Sequence, residues 1–320
     1  MKLGTLGTSN VKITPIIMGT WQAGKRMWVD INDKDISKAI RNSFDLGITT
    51  FDTAAVYGDG YSEKILGRTL SDVRSSVIYA TKVFANQLKY NQVIESCNCS
   101  LKNLGTDYID LYQIHWPSGS FGSEIVPIEE TIRAMNDLKQ QGKIRAIGVS
   151  NFSRPQLEEA AQYGSIDSLQ PPYSLFWRHV ETDAMPYCIE HNITLLAYSP
   201  LAQGLLTGKF KANHQFANGD HRSTNKLFQP DHFQRAQQAL NQLRPIAKQK
   251  KITLGQLALA WVIAQPNTCA IVGARNEDQA IQNTKAITVN LSEEDLKKLD
   301  IVGRTVTDYL DNNPVMWNFD

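Results

Sequence analysis

The feature that most constrains this chain is the alternation of short apolar runs with amphipathic segments along most of its length. Eight runs read as buried strands: residues 15–19, 48–52, 77–82, 108–115, 144–150, 168–170, 193–199 and 269–273. Between them apolar residues recur at helical spacing, over 33–46, 61–70, 91–104, 129–141, 154–163, 183–191, 231–250, 253–264 and 277–286. Strands that alternate with helices pair in parallel, and eight such units close a barrel. The expected class is therefore α/β, a (β/α)8 TIM barrel. Asn32 or Asp33, and Ser292 before "EEDLKKLD", are N-cap residue types, and Gly47, Gly105 and Gly142 stand where helices end.

Residues 1–14 read as an N-terminal hairpin outside the repeat, and 304–320 as a C-terminal tail. No Pro/Gly/Ser-rich linker divides the remainder, so the expectation is a single domain over 1–320. The longest irregular stretch runs from about Gly208 to Asp231, after the seventh strand. Loops of that length in compact domains are usually functional lids or disordered, and a lid is the expectation here.

Lys and Arg number 33 against 32 Asp and Glu, a formal charge of +1, which argues against nucleic acid or an anionic membrane as partner. "KQKK" at 248–251 falls at a helix C-terminus, where cations complement the dipole. The N-terminus has no continuous apolar stretch of the signal-peptide kind, and no run approaches the ~18 residues of a membrane span. Cys97 and Cys99 sit two residues apart on a helix and do not share a face, so the four cysteines suggest no disulfide framework. These features together predict a cytoplasmic protein. The six histidines show neither HExxH nor clustered ligand spacing, so no metal is expected. "GDGYSE" breaks the dinucleotide fingerprint at its last position, "GLLTGKF" misses the P-loop spacing, and no GxSxG is present.

Chemistry gathers at the strand ends. Asp52 ends the second run, Lys82 the third, His115 the fourth, Ser150 and Asn151 the fifth, Gln170 the sixth, Tyr198 and Ser199 the seventh. Alone, each has an ordinary explanation: Asp52 caps a loop, Lys82 snorkels, His115 is a satisfied core histidine. Repetition at successive strands changes the reading. In a parallel barrel these side chains share the C-terminal rim, where barrel enzymes keep their active sites.

Five segments carry a family resemblance. "GITTFDTAAVYGDGYSEKILG", "YIDLYQIHWP", "GKIRAIGVSNFS", "LLAYSPLAQGLLTGK" and "IVGARNEDQAIQN" resemble, in order, the aldo-keto reductases, over about residues 3 to 303. The likeness is greatest to the bacterial branch that includes inositol-dehydrogenase-like and general-stress reductases. It implies a metal-independent, NADPH-dependent enzyme that reduces aldehydes and ketones.

By the same resemblance Tyr57 is the general acid, Lys82 lowers its pKa, Asp52 pairs with Lys82, and His115 orients the carbonyl oxygen. Trp21 and Trp116 join Tyr57 and His115 around the substrate. Gly19, Thr20, Trp21 and Asp52 border the cofactor, Ser150, Asn151 and Gln170 hold its carboxamide, and Tyr198 stacks on its ring. Ser199, Leu201, Gln203, Gly204, Leu205 and Lys209 take pyrophosphate and ribose, with Arg222 closing over them. Gly273, Arg275, Gln279 and Asn283 hold the adenosine phosphate end. Many members place Lys-Ser where this chain has Gly273-Ala274, and Arg275 supplies a cationic fork instead.

Two other readings stand beside this one. The family includes channel β-subunits that bind the cofactor as regulators, and a barrel lysine such as Lys82 can serve a Schiff-base lyase. The substrate is not chosen by Trp21, Trp28, Trp116 and the "DYLDNNPVMWNFD" tail, since aromatic walls suit sugars, ketosteroids and aryl aldehydes alike. Trp317 to Phe319 has two candidate resting places, its own pocket or a neighbour's surface.

Overall fold

The computed structural model describes residues 3–26, 28–211 and 213–317; Lys2 of the expected hairpin and Phe319 of the tail lie outside them. Strands β1 (Gly4–Thr5) and β2 (Lys12–Ile13) form an antiparallel hairpin. Eight parallel strands then close a barrel: β3 (Ile16–Gly19), β4 (Thr50–Asp52), β5 (Ile78–Val83), β6 (Ile109–Ile114), β7 (Ile144–Ser150), β8 (Ser168–Gln170), β9 (Thr194–Tyr198) and β10 (Thr268–Gly273). Closure is made by β10 pairing with β3, Gly273 opposite Gly19.

The surrounding helices are α1 (Asp33–Asp45), α2 (Tyr61–Thr69), α3 (Tyr90–Leu104), α4 (Ile128–Gln140), α5 (Arg154–Ala161) and α6 (Ala184–Glu190). They continue with α7 (Pro230–Gln249), α8 (Leu254–Ile263), α9 (Glu277–Lys285) and α10 (Glu293–Thr307). Each expected strand and helix overlaps one of these elements. Asn32, rather than Asp33, caps α1, its side chain accepting from the Lys34 and Asp35 amides. The expected tail begins too early, because residues 304–307 still belong to α10.

Strand parity builds two cores. Outward residues such as Met18, Phe51, Tyr79, Tyr112, Ile147 and Leu195 pack in the layer shared with the helices. Inward residues Ile17, Ala80, Leu111, Ala146, Leu196 and Ile271 fill the lower barrel. Leu6, Val11 and Ile13 of the hairpin join that inner cluster, so the hairpin plugs the end where the strands begin. The plug is tied by the Gly7 amide donating to Thr194 Oγ1 at 2.8 Å and by Thr8 Oγ1 donating to the buried Asp167.

The long segment after β9 is folded back on the barrel. Phe210, Phe216, Phe228 and Phe233 pack ring against ring, and the Asp220–Arg222 ion pair is buried. The tail docks on the same segment: Asn225 and Trp317 form a bridge, the Lys226 amide donates to Met316 O at 2.8 Å, and Lys226 pairs with Asp311 at 2.6 Å. Trp317 therefore lies at the mouth of its own barrel, 6.2 Å from the Tyr198 ring and 6.5 Å from Trp21.

Because Leu6 is fully buried in the plug, Leu6→Ala leaves a cavity that only partial collapse can fill. The expected cost is about 2–5 kcal/mol, read as a lower urea midpoint of unfolding. A midpoint equal to the parent's would mean that the hairpin contributes no packing.

Candidate active site

The rim is organised around one carboxylate. Asp52, at the end of β4, is buried among the upper inward residues. Its Oδ1 accepts from Lys82 Nζ at 2.6 Å, and Lys82 Nζ also donates to Thr53 O at 2.6 Å. Asp52 Oδ2 accepts from Gln170 Nε2 at 3.0 Å and from Gln113 Nε2 at 3.3 Å. A fully buried ammonium is tolerated here because it is paired at close range with a carboxylate that is itself further hydrogen-bonded. Lys82 is fully buried and lies behind the wall of the cavity that Asp52 and Tyr57 face. That placement disfavours a Schiff base, which needs Nζ to meet a carbonyl carbon.

Tyr57 is carried by the loop after β4. Gly24 makes room for it: a Cβ there would approach the Tyr57 carbonyl carbon to 2.7 Å, so only a glycine lets the two loops touch. The Tyr57 ring lies 5.2 Å from Lys82 Nζ, 5.7 Å from the His115 ring centroid and 6.2 Å from Trp21. The expected lowering of its pKa by Lys82 is not found. Burial raises the phenol well above its ordinary value, and the charge of Asp52, then Tyr198, adds to the rise. The physical reason is that Asp52 neutralises the ammonium at close range, so the phenol loses water without facing an unopposed cation. Tyr57 is held as a protonated donor. His115 is pushed the other way: burial, then the Lys82 charge, lowers it well below the usual histidine range. Its Nδ1 is buried with no hydrogen-bond partner among the described residues, so it is held neutral.

Beyond β7 the polar groups interlock. Ser150 Oγ donates to Gln170 O at 2.8 Å, and Asn151 Nδ2 donates to Ser150 Oγ and to His115 O, both at 3.1 Å. Tyr198 OH donates to Asn151 Oδ1 at 2.9 Å. Asn151 reaches these partners with a left-handed φ of 61°, a conformation asparagine tolerates better than most residues. At the far end Lys209, Arg222 and Arg275 face one cavity of about 1030 Å³. Arg222 and Arg275 lie 5.5 and 5.0 Å from the Trp28 ring. Burial lowers Lys209, and the two arginines lower it further. Among the described residues Arg275 has no ion-pair partner. A recess with three cations, one of them paired with Asp220 and with Asp278 also on the lining, suits an anion such as a phosphate.

The cavity is lined by the sequence-derived Gly19, Thr20, Trp21, Asp52, Tyr57, His115, Trp116, Ser150, Asn151, Gln170, Tyr198 and Ser199. Leu201, Gln203, Gly204, Lys209, Arg222, Gly273, Arg275, Gln279, Asn283, Trp28 and Trp317 line it as well. Leu205 is the correction: it is fully buried in the hydrophobic core and does not line the cavity, because the turn after Gly204 points it inward. Phe84, Phe121 and Gln22 are lining residues that motif reading passes over. Gln113 escapes it too, although its signal is present: it shares the inward parity of Leu111 and His115 in β6. Among the described residues no three His, Cys, Asp or Glu side chains gather as a metal site.

Comparison with known proteins follows the same lines. The model of the Aldo/keto reductase family matches residues 15–304. The chain is 38% identical to the aldo-keto reductase YhdN of Bacillus subtilis, over 96% of each chain. It is 34% identical to the NADH-specific methylglyoxal reductase of Escherichia coli, over 92% of this chain and 96% of that one. Among solved structures, an aldo/keto reductase from Klebsiella pneumoniae in complex with NADP and acetate superposes with a TM-score of 0.75 at 28% identity, covering 97% and 96% of the two chains.

The neutral, buried His115 has a consequence for acid stability. Its folded pKa lies below the unfolded value of about 6.5, so the unfolded chain binds the extra proton first. Stability is then lost as pH falls below about 6.5, by up to ~1.4 kcal/mol per pH unit until the folded pKa is reached. Denaturant midpoints between pH 7 and 5 should fall more gently for His115→Gln than for the parent. Parallel curves would show that His115 titrates alike in the folded and unfolded chain.

Proposed function

The chain belongs to the aldo/keto reductase family of oxidoreductases, and from that membership we propose that it reduces aldehydes or ketones to alcohols with NADPH as hydride donor. The observation that carries this reading is the pairing, in one cavity, of a buried phenol beside a neutral imidazole with a three-cation recess at the other end. The residues fit the cofactor: Tyr198 offers a ring face, Ser150, Asn151 and Gln170 an ordered polar wall, and Lys209, Arg222 and Arg275 the charge for phosphates. When bound, the reduced nicotinamide supplies a hydride to the carbonyl carbon. Tyr57 gives its phenolic proton to the carbonyl oxygen, which becomes the alcohol. Lys82, fixed by Asp52, limits the charge that builds on the Tyr57 oxygen as the proton leaves. His115 stays neutral and positions the carbonyl oxygen by a hydrogen bond. Trp21, Trp116, Phe84 and Phe121 form the apolar wall on which the substrate rests.

Tyr57→Phe removes one hydroxyl and no packing, so NADPH binding should persist. Steady-state reduction of a reactive aldehyde should fall by ~10²–10⁴, the range for a lost general acid. Turnover within a few-fold of the parent would overturn the assignment. If the parent binds the cofactor but turns over no aldehyde or ketone, the regulatory reading replaces this one.

Arg275 is proposed as the main source of NADPH preference. The extra phosphate carries close to two negative charges at neutral pH, and Gly273 and Ala274 cannot answer them. A charge-assisted hydrogen bond contributes roughly 1.5–3 kcal/mol. Arg275→Ala should therefore weaken NADPH by about ten- to a hundredfold and NADH far less, measured by titration calorimetry at fixed salt. Equal losses would assign Arg275 to the adenosine generally, and a parent that binds NADH as tightly as NADPH would remove the preference.

A further inference from the structure

Gln113 lies in the barrel interior, fully buried. It stands on β6 between β4 and β8, the strands of Asp52 and Gln170. Inward side chains from alternate strands of such a barrel share one layer. The three meet accordingly: Gln113 Nε2 donates to Asp52 Oδ2 at 3.3 Å, Gln170 Nε2 donates to the same oxygen at 3.0 Å, and Gln170 Nε2 also donates to Gln113 Oε1 at 3.2 Å. Room for the Gln113 stem comes from Gly148 on β7, where a Cβ would stand 2.9 Å from Gln113 Cγ and 2.3 Å from Ser168 Oγ.

Donor and acceptor accounting fixes which end of each amide points where. An ionised carboxylate only accepts, so both glutamines must turn their NH2 groups to Asp52. Gln113 Oε1 is thereby left to accept the second N–H of Gln170. Both hydrogens of Gln170 Nε2 are then committed, and the group that Gln170 has left for the cavity it lines is its Oε1, an acceptor. We propose that Gln113 is a positioning residue: it locks the Gln170 amide so that the cavity presents an acceptor to the NH2 of the nicotinamide carboxamide. This rests on the nicotinamide reading above and adds to it a residue that never touches the cofactor. Without Gln113 the second N–H of Gln170 would be orphaned in a buried layer. The amide, held by its Asp52 bond alone, would be free to rotate about that bond, and the acceptor would no longer be fixed toward the cavity.

The test compares two ligands, NADP+ and its 3-acetylpyridine analogue, in which a methyl replaces the carboxamide NH2. A neutral hydrogen bond of ordinary strength predicts that the parent binds NADP+ about fivefold more tightly than the analogue. In Gln113→Met, which keeps length and packing, that ratio should fall toward one. In Gln113→Glu, burial and the neighbouring Asp52 keep the new carboxyl protonated, so it still offers one donor and one acceptor. The ratio measured at pH 6 should therefore stay near the parent's. A purely structural role would weaken both ligands together and leave the ratio unchanged. An unchanged ratio in the Met variant, or a Glu variant that discriminates no better than Met, overturns the proposal. If Met does not fold, Gln113→Leu, which likewise removes both the donor and the acceptor, is read in its place against the same outcomes. A parent that binds neither ligand is a different result, which sinks the nicotinamide reading itself.

Discussion

The buried pair of Lys82 and Asp52 is the interaction on which the rest of the site depends. A charge taken out of water is costly unless it is matched and hydrogen-bonded, and here one carboxylate answers an ammonium on one oxygen and two amides on the other. A closed barrel supplies such a position, because its strands bring inward side chains to one axis without admitting solvent. The same pair sets the titration of its surroundings. Asp52 helps keep Tyr57 protonated, and Lys82 helps keep His115 neutral. A proton donor and an uncharged imidazole thus stand side by side next to an ion pair whose charges cancel.

Much of this is legible in the sequence for a physical reason. Parallel strands that all end on one rim turn a one-dimensional pattern, polar residues closing apolar runs, into a three-dimensional cluster. Asp52, His115, Ser150 and Gln170 follow that rule and line the cavity. Lys82 follows it yet stands behind the wall, since its long side chain runs down to Asp52. Leu205 fails because a local turn, not a strand, decides its direction. The protonation of Tyr57 is misread from sequence for another cause: proximity to a lysine is visible in the motif, whereas the balance of burial against an already neutralised cation is not. Gln113 shows a third kind of gap. Its inward parity is readable, but its meaning depends on Asp52 and Gln170, which lie 61 and 57 residues away from it along the chain.

The segment after β9 and the tail belong to a different layer of organisation. The segment after β9 holds Arg222 over the cavity through Asp220 and a ring of phenylalanines, and the tail holds that segment through Lys226 and Asn225. These contacts are made by short turns and side chains at long sequence separation, with no periodicity to announce them. Their common effect is to bring an arginine, a histidine and a tryptophan from distant parts of the chain to one opening.

The placement of the tryptophans makes the molecule a natural optical reporter. Of the six, Trp21, Trp28, Trp116 and Trp317 line the cavity, whereas Trp177 and Trp261 are buried in the core. Emission from the first group is sensitive to whatever enters the opening, and emission from the second to the integrity of the barrel. Occupancy and unfolding therefore write two separable signals in the intrinsic fluorescence of a single unlabelled chain.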